Sequence, residues 1–171
     1  MELTDPRWTR ALPTKFVCAV ATLGPLGTRL PAPGTWGSLA GLLCFTVFFR
    51  HARWEVVFAW SVLASLVAVA FCGDAARRLG REDPGEVILD EFVVMPLVFL
   101  GWRAGAGARW PEWVVLLAGF ALFRFYDILK PLGISRLQRL PGGWGIVVDD
   151  AAAALAACAT LHLGAWLWAL R

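Results

Sequence analysis

Five apolar segments, at 36–50, 54–72, 87–102, 112–126 and 146–170, decide what this chain can fold into, with a shorter sixth near 11–24. Each must be covered by protein or by lipid. A bilayer core asks for about 20 residues of helix, and several of these segments fall short. They predict a compact bundle of uneven depth, packed closely through the glycines and other small residues within them. The rival is a soluble helical bundle with a large core. With 58% of residues hydrophobic, only 17% charged and many of the ten tryptophans near segment ends, the balance falls to the membrane. The expected fold is all-α: an integral membrane bundle of about five apolar helices plus a short N-terminal helix, one domain over residues 1–171.

The connections divide into two sets. "HAR" (51–53) and "RAGAGAR" (103–109) are short, whereas "RLPAPGT", "GDAARRLGREDPGE" (73–86) and "DILKPLGISRLQRLPGGWG" (127–145) are long and polar. If each segment crosses once, the long set shares one side. Eleven of the sixteen Lys and Arg residues, Arg7 among them, fall on that side, which makes it cytoplasmic by the positive-inside rule. The polar opening "MELTDPRWTR" predicts no cleavable signal peptide. The basic residues are scattered, without an Arg/Lys-rich arm, so no nucleic-acid partner is expected. Cys18, Cys44, Cys72 and Cys158 lie far apart within apolar segments and form no CxxC pair, so neither zinc nor a disulfide framework is implied.

The acids follow the same partition. Asp74, Glu82, Asp83, Glu86, Asp90, Glu91, Asp127, Asp149 and Asp150 lie on or just inside the long-loop side, and Glu55 and Glu112 on the other. Asp90 and Glu91 stand inside the apolar run "GEVILDEFVVMPLVFL". There a lone carboxylate costs up to about 3 kcal/mol on insertion scales, and an adjacent pair repels unless something positive lies between. "DPGE" reads as a capping box, with Asp83 as N-cap, Pro84 at N1 and Glu86 at N3. That would put Asp90 about 10 Å along the helix from Asp83. Arg124, Asp127 and Lys130, spaced by three, predict one helical stripe. Asp149 and Asp150 could start a helix after "PGGWG", but Ile146, Val147 and Val148 precede them, so the cap should come earlier.

Carboxylates from three helix ends, with Arg124 and Lys130 among them, suit Mg²⁺ and a phosphate ester. "PAPGTWGS" adds Gly34, Thr35, Gly37 and Ser38 at the start of a segment, backbone N–H groups and hydroxyls that could cradle an anion. Together these features point to metal-assisted phosphate chemistry on a membrane-embedded substrate.

"PAPGTWGS", "DPGEVILDEFV", "FRFYDILKP" and "GGWGIVVDD", in this order and at these separations, resemble the phosphatidylglycerophosphatase A family over about residues 15–155. The resemblance implies a small bacterial inner-membrane phosphatase that converts phosphatidylglycerophosphate to phosphatidylglycerol and needs Mg²⁺. At matching positions it carries over Asp83, Asp90, Glu91, Asp127, Asp149, Asp150, Arg124, Lys130, Gly34, Thr35, Gly143 and Gly145. The chain departs from the family pattern at "FVVMP", at "KPLGI", before the Gly pair and after the Asp pair, and no departure removes an acid.

The expected metal ligands and catalytic groups are Asp90, Glu91, Asp127, Asp149 and Asp150. Arg124, Lys130, Gly34, Thr35 and Ser38 are expected at the phosphate, with Asp83 and Glu86 as further candidates. Adjacent helical residues point about 100° apart, so one of Asp90 and Glu91 should face the metal, and the other a neighbouring helix or a second metal. His51 and His162 fall toward the opposite face, which argues against a phosphohistidine route. The spacing of Cys72 and Arg78 mimics a cysteine-phosphatase loop but lacks its glycines. The alternative is a non-enzymatic cation-binding or transport protein using the same acids, although transport would place them near the midplane with access from both sides.

Overall fold

The computed structural model describes residues 7–171, so the polar stretch 1–6 and the side chain of Arg7 lie outside it. The described residues are helical, with no strand. Three short helices lead in: α1 (Arg7–Arg10), α2 (Thr14–Ala21), which is the short N-terminal helix expected near 11–24, and α3 (Pro25–Arg29). Helix α4 (Pro33–Cys44) opens with Pro33, whose missing N–H costs nothing in a first turn, and continues into a π-helical turn, Phe45–Phe49. Helix α5 (Trp54–Leu79) runs unbroken to a left-handed Gly80. Then come α6 (Leu89–Val94), a 3₁₀ turn at Met95–Phe99, and α7 (Glu112–Leu129). A 3₁₀ turn at Ile134–Arg139 leads into α8 (Gly143–Ala169).

Helix α8 packs along both α5 and α7, while α4 lies against α6. Gly143 is where α8 meets α5: a methyl group there would overlap the Val69 carbonyl oxygen and come within 2.9 Å of the Gly73 nitrogen. Among the described residues, α5 and α8 are long and apolar enough to cross a membrane. Pro33–Phe49 is shorter, and α7 carries Glu112, Arg124 and Asp127. Outside, Leu43, Phe48, Leu63, Trp113 and Leu163 are more than half exposed, an arrangement that suits lipid contact better than water.

The 87–102 segment departs from expectation because it is not one helix. Pro96 has no N–H, and its ring would clash with the Phe92 carbonyl in a continued α-helix. Helix α6 therefore stops after six residues and a 3₁₀ turn takes over. Val93 through Phe99 are all buried, so the segment forms the middle of the bundle. It still runs from the acid-bearing end to the far end, where Arg103 meets His51 at 2.6 Å. The long loops accordingly share one end: residues 81–83 and 138–142 line a single cavity there.

The capping box at Asp83–Glu86 is also corrected. Residues 84–87 form a turn closed by the Val87 N–H on the Pro84 carbonyl at 2.8 Å, and the Ile88 N–H then binds the Ala21 carbonyl at 2.9 Å. That contact with the end of α2 ties Ile88 outside the helix, so α6 starts at Leu89 with Ile88 as N-cap. Asp90 and Glu91 thus occupy the first turn of α6, where the helix dipole favours acids.

Candidate active site

Three carboxylates converge where α6 meets α8. Asp90, Glu91 and Asp150 each offer an oxygen, and these oxygens all lie within 4.8 Å of one another. Asp90 and Asp150 are 5% and 4% exposed. Asp149 and Asp150 stand in the second turn of α8, which starts at Gly143, so neither caps it, as the preceding Ile-Val-Val implied. Asp90 Oδ1, Glu91 Oε2 and Asp149 Oδ1 are buried with no hydrogen-bond partner. Buried carboxylates this close repel one another and sacrifice hydration. Unengaged hard oxygen donors are what Mg²⁺ takes, and the donor set fits that ion.

Two cations border the group. Arg124 donates through Nη1 to Asp127 Oδ2 at 2.6 Å and to Ser38 Oγ at 3.2 Å, and the same nitrogen lies 3.7 Å from Glu91 Oε1. Both members of the adjacent pair therefore join the carboxylate group, and Glu91 alone of the two also faces Arg124.

Lys130 leaves the stripe predicted for it. Helix α7 ends at Leu129, and Lys130 takes a left-handed conformation, φ 44°, that carries its ammonium to Asp149 on α8. Burial alone would lower the pKa of this ammonium. The hydrogen bond to Asp149 and the charges of Asp149, Asp150 and Asp127 outweigh it, so the pKa lies above the usual lysine value.

The start of α4 reaches the site through close packing. A methyl group on Gly34 would collide with Glu91 Oε1 and come within 3.3 Å of Arg124 Nη1. Ser38 is buried, donates to the Gly34 carbonyl at 2.8 Å and accepts from Arg124. The Thr35 N–H is engaged with the Ala32 carbonyl at 2.9 Å, and Thr35 is half-buried. Of the expected anion cradle, Ser38 holds Arg124 and Gly34 makes room for Glu91.

Asp83 and Glu86 do not join the carboxylate group. Asp83 is exposed on a neighbouring cavity of about 560 Å³, and Glu86 pairs with Arg81. Arg77, Arg81 and Arg139 also line that cavity. In the sequence these three bear on sidedness, and the only local signal of a site is that "RRLGR" and "SRLQR" flank the acid motifs. Asp74 is buried in ion pairs with Arg77 and Arg78, and Arg78 extends to the Thr9 and Leu12 carbonyls and to Thr14. That network ties α1 and α2 to α5. Cys72 and Arg78 lie on one continuous helix, which rules out a phosphate-wrapping loop between them. His51 and His162 are engaged at the far end, with Arg50 and Arg103 and with the Leu100 carbonyl.

The family model described as phosphatidylglycerophosphatase A matches residues 19–165. A Haemophilus influenzae protein named phosphatidylglycerophosphatase A is 38% identical over 126 residues, covering 73% of this chain and 74% of its own. An Escherichia coli K12 protein of the same name is 30% identical over 139 residues, covering 81% and 77%. A Bacteroides thetaiotaomicron protein, provisionally named a phosphatidylinositol-3-phosphatase, is 33% identical over 141 residues, covering 80% and 85%. No solved structure matches the chain.

Proposed function

The chain belongs to the phosphatidylglycerophosphatase A family, and from that premise we propose that it hydrolyses the terminal phosphomonoester of phosphatidylglycerophosphate, releasing phosphate and leaving phosphatidylglycerol. The observation that carries this reading is the convergence of Asp90, Glu91 and Asp150, the first two each with a buried oxygen that lacks a hydrogen-bond partner, beside Arg124 and Lys130. A phosphate ester brings negative oxygens to the cations, and carboxylates without partners call for a divalent ion. Asp90, Glu91 and Asp150 would hold Mg²⁺, with Asp127 and Asp149 beside them. When bound, Mg²⁺ supplies Lewis-acid neutralisation of the phosphate oxygens.

The chain's own groups do the rest. Arg124 and Lys130 attract the phosphate dianion and orient it. Lys130 holds one oxygen of Asp149 and leaves Oδ1 unengaged, an oriented base for the attacking water. The water oxygen bonds to phosphorus as the phosphorus–oxygen bond to glycerol breaks. Asp149 takes the water proton, and the departing alkoxide is protonated from solvent.

The same reading sets the protein in the bacterial inner membrane as one domain over residues 1–171. Helices α4, α5, α7 and α8 face lipid around the broken 87–102 segment, five apolar elements in all. The excess of Lys and Arg on the long-loop side supports a cytoplasmic site, which reporters inserted in 73–86 and 131–145 would both register as inside. Family membership favours an enzyme over a transport or ion-binding role for the same acids. The test is phosphate release by the purified full chain in detergent. Release from phosphatidylglycerophosphate with Mg²⁺, abolished by a chelator, is expected. No release with Mg²⁺ present sinks the reading, and faster release from phosphatidylinositol 3-phosphate reassigns the headgroup.

A further inference from the structure

The cavity of about 560 Å³ beside the carboxylates has no part in the chemistry above. Arg77 and Arg81 line it from the end of α5, Arg139 from the 3₁₀ turn before α8, and Gly145 and Ile146 from the start of α8. Arg77 pairs with Asp74 and Arg81 with Glu86, whereas Arg139 makes no ion pair among the described residues. Glu82 and Asp83 also line the cavity, opposite in charge to the three arginines. Its volume lies within the usual range for a small-molecule site, about 300–1,000 Å³.

The register of α8 links this cavity to the acids. Gly145 and Ile146 line it, and Asp149 and Asp150 follow each by four residues, on the same face and about 6 Å along the axis. Two anion-seeking regions of different make-up thus lie one helical turn apart. One holds buried carboxylates for a metal-bound phosphomonoester, and the other presents arginines to an anion without metal. Phosphatidylglycerophosphate carries two phosphates of these kinds, a terminal monoester and a bridging phosphodiester, separated by one glycerol unit.

We propose that the arginine-lined cavity seats the bridging phosphodiester of the lipid substrate, with Arg139 and Arg81 as its principal donors, while the terminal phosphate lies at the carboxylates. The proposal rests on the functional reading above and deepens it: the cavity makes the enzyme selective for lipids with a phosphodiester one glycerol-sized unit from the scissile monoester. Arginine suits this role because its planar fork meets two phosphate oxygens at once.

The test compares phosphatidylglycerophosphate with phosphatidic acid, a lipid phosphomonoester without a phosphodiester, as substrates of the full chain in detergent with Mg²⁺. Arg139→Gln is expected to raise KM for phosphatidylglycerophosphate about tenfold, the worth of one charge-assisted hydrogen bond, with kcat moved much less. Arg81→Gln acts in the same direction. On phosphatidic acid the losses stay within about threefold. Arg136→Gln, on the same 3₁₀ turn but not lining the cavity, is the control and shifts neither substrate. Equal losses on both lipids, or none on either, overturn the proposal.

A second measurement does not depend on turnover. Short-chain phosphatidylglycerol, which has the phosphodiester and no monoester, is titrated against tryptophan fluorescence. Saturable binding weakened about tenfold by Arg139→Gln supports the subsite, and absence of saturable binding to the wild type overturns it. Should the wild type bind phosphatidylglycerol through these arginines yet release phosphate from neither lipid, the functional reading fails and the phosphodiester seat stands.

Discussion

At one end of the bundle Asp74, Asp90, Asp149 and Asp150 are each 5% exposed or less. At the other end the side chains of Arg50, Arg53, Glu55 and Glu112 keep between 41% and 83% of their surface. The exposed pairs, Arg50–Glu112 at 3.5 Å and Arg53–Glu55 at 2.8 Å, belong to the class that contributes about 0–1 kcal/mol. The buried carboxylates are of another kind. Burying a charge costs several kcal/mol unless all its polar atoms are satisfied, and although Asp149 pairs with Lys130 and Glu91 faces Arg124, Asp90 Oδ1, Glu91 Oε2 and Asp149 Oδ1 have no hydrogen-bond partner. A chain that only needed to fold would gain by replacing them with apolar residues. The difference between the ends fits the proposal that the acid-bearing end is arranged for a ligand, whereas the charged side chains of the far end stay largely exposed.

The largest test of that contrast removes a charge from the convergent group. Asp150→Asn and Asp90→Asn should each lower phosphate release by about a thousandfold, as losses of transition-state stabilisation do. Both variants should insert and melt no lower than the wild type, because the lost charges strain the fold. Thermal melting in detergent beside turnover reads both quantities. Wild-type turnover in either variant would end the assignment of that acid.

A smaller effect is expected from Gly34→Ala. The added methyl would collide with Glu91 Oε1, and a displacement of about 1 Å at a reacting centre costs about a hundredfold. The steady-state rate at saturating lipid measures it. Unchanged kinetics would mean that the position of Glu91 is immaterial.

The smallest effect belongs to the far end. Arg50→Gln and Glu112→Gln, singly or together, should shift stability by no more than about 0.5 kcal/mol and leave turnover alone. A loss of activity in the double variant would dissolve the contrast between the ends.

Much of the site was legible beforehand because its signals are local in sequence. Two acids inside an apolar run are anomalous wherever the run is placed, and Ile146–Val148 ahead of Asp149 argued that the helix had already begun. Local rules fail in this chain where a distant partner intervenes. "DPGE" has the letters of a capping box, yet the bond from Ile88 to the Ala21 carbonyl holds residue 88 out of the helix. Lys130 stands three residues from Asp127, but the left-handed turn at the end of α7 hands it to Asp149. Ser38 has the chemistry of a phosphate ligand, yet it lies inside, under Arg124.

Composition and motif order alone determined that the chain is helical and apolar, and which acids and which loops share an end. Those properties depend on residue type, short-range spacing and the count of crossings, all of which a linear string records. Only the tertiary structure decided which carboxylates converge, which cation holds which acid, and that Arg77, Arg81 and Arg139 surround one cavity. Asp90 and Asp150 are sixty residues apart, and their meeting depends on how closely α6 and α8 pack and at what rotation. Both are set by side-chain volumes summed over the whole interface, a quantity that no single motif contains.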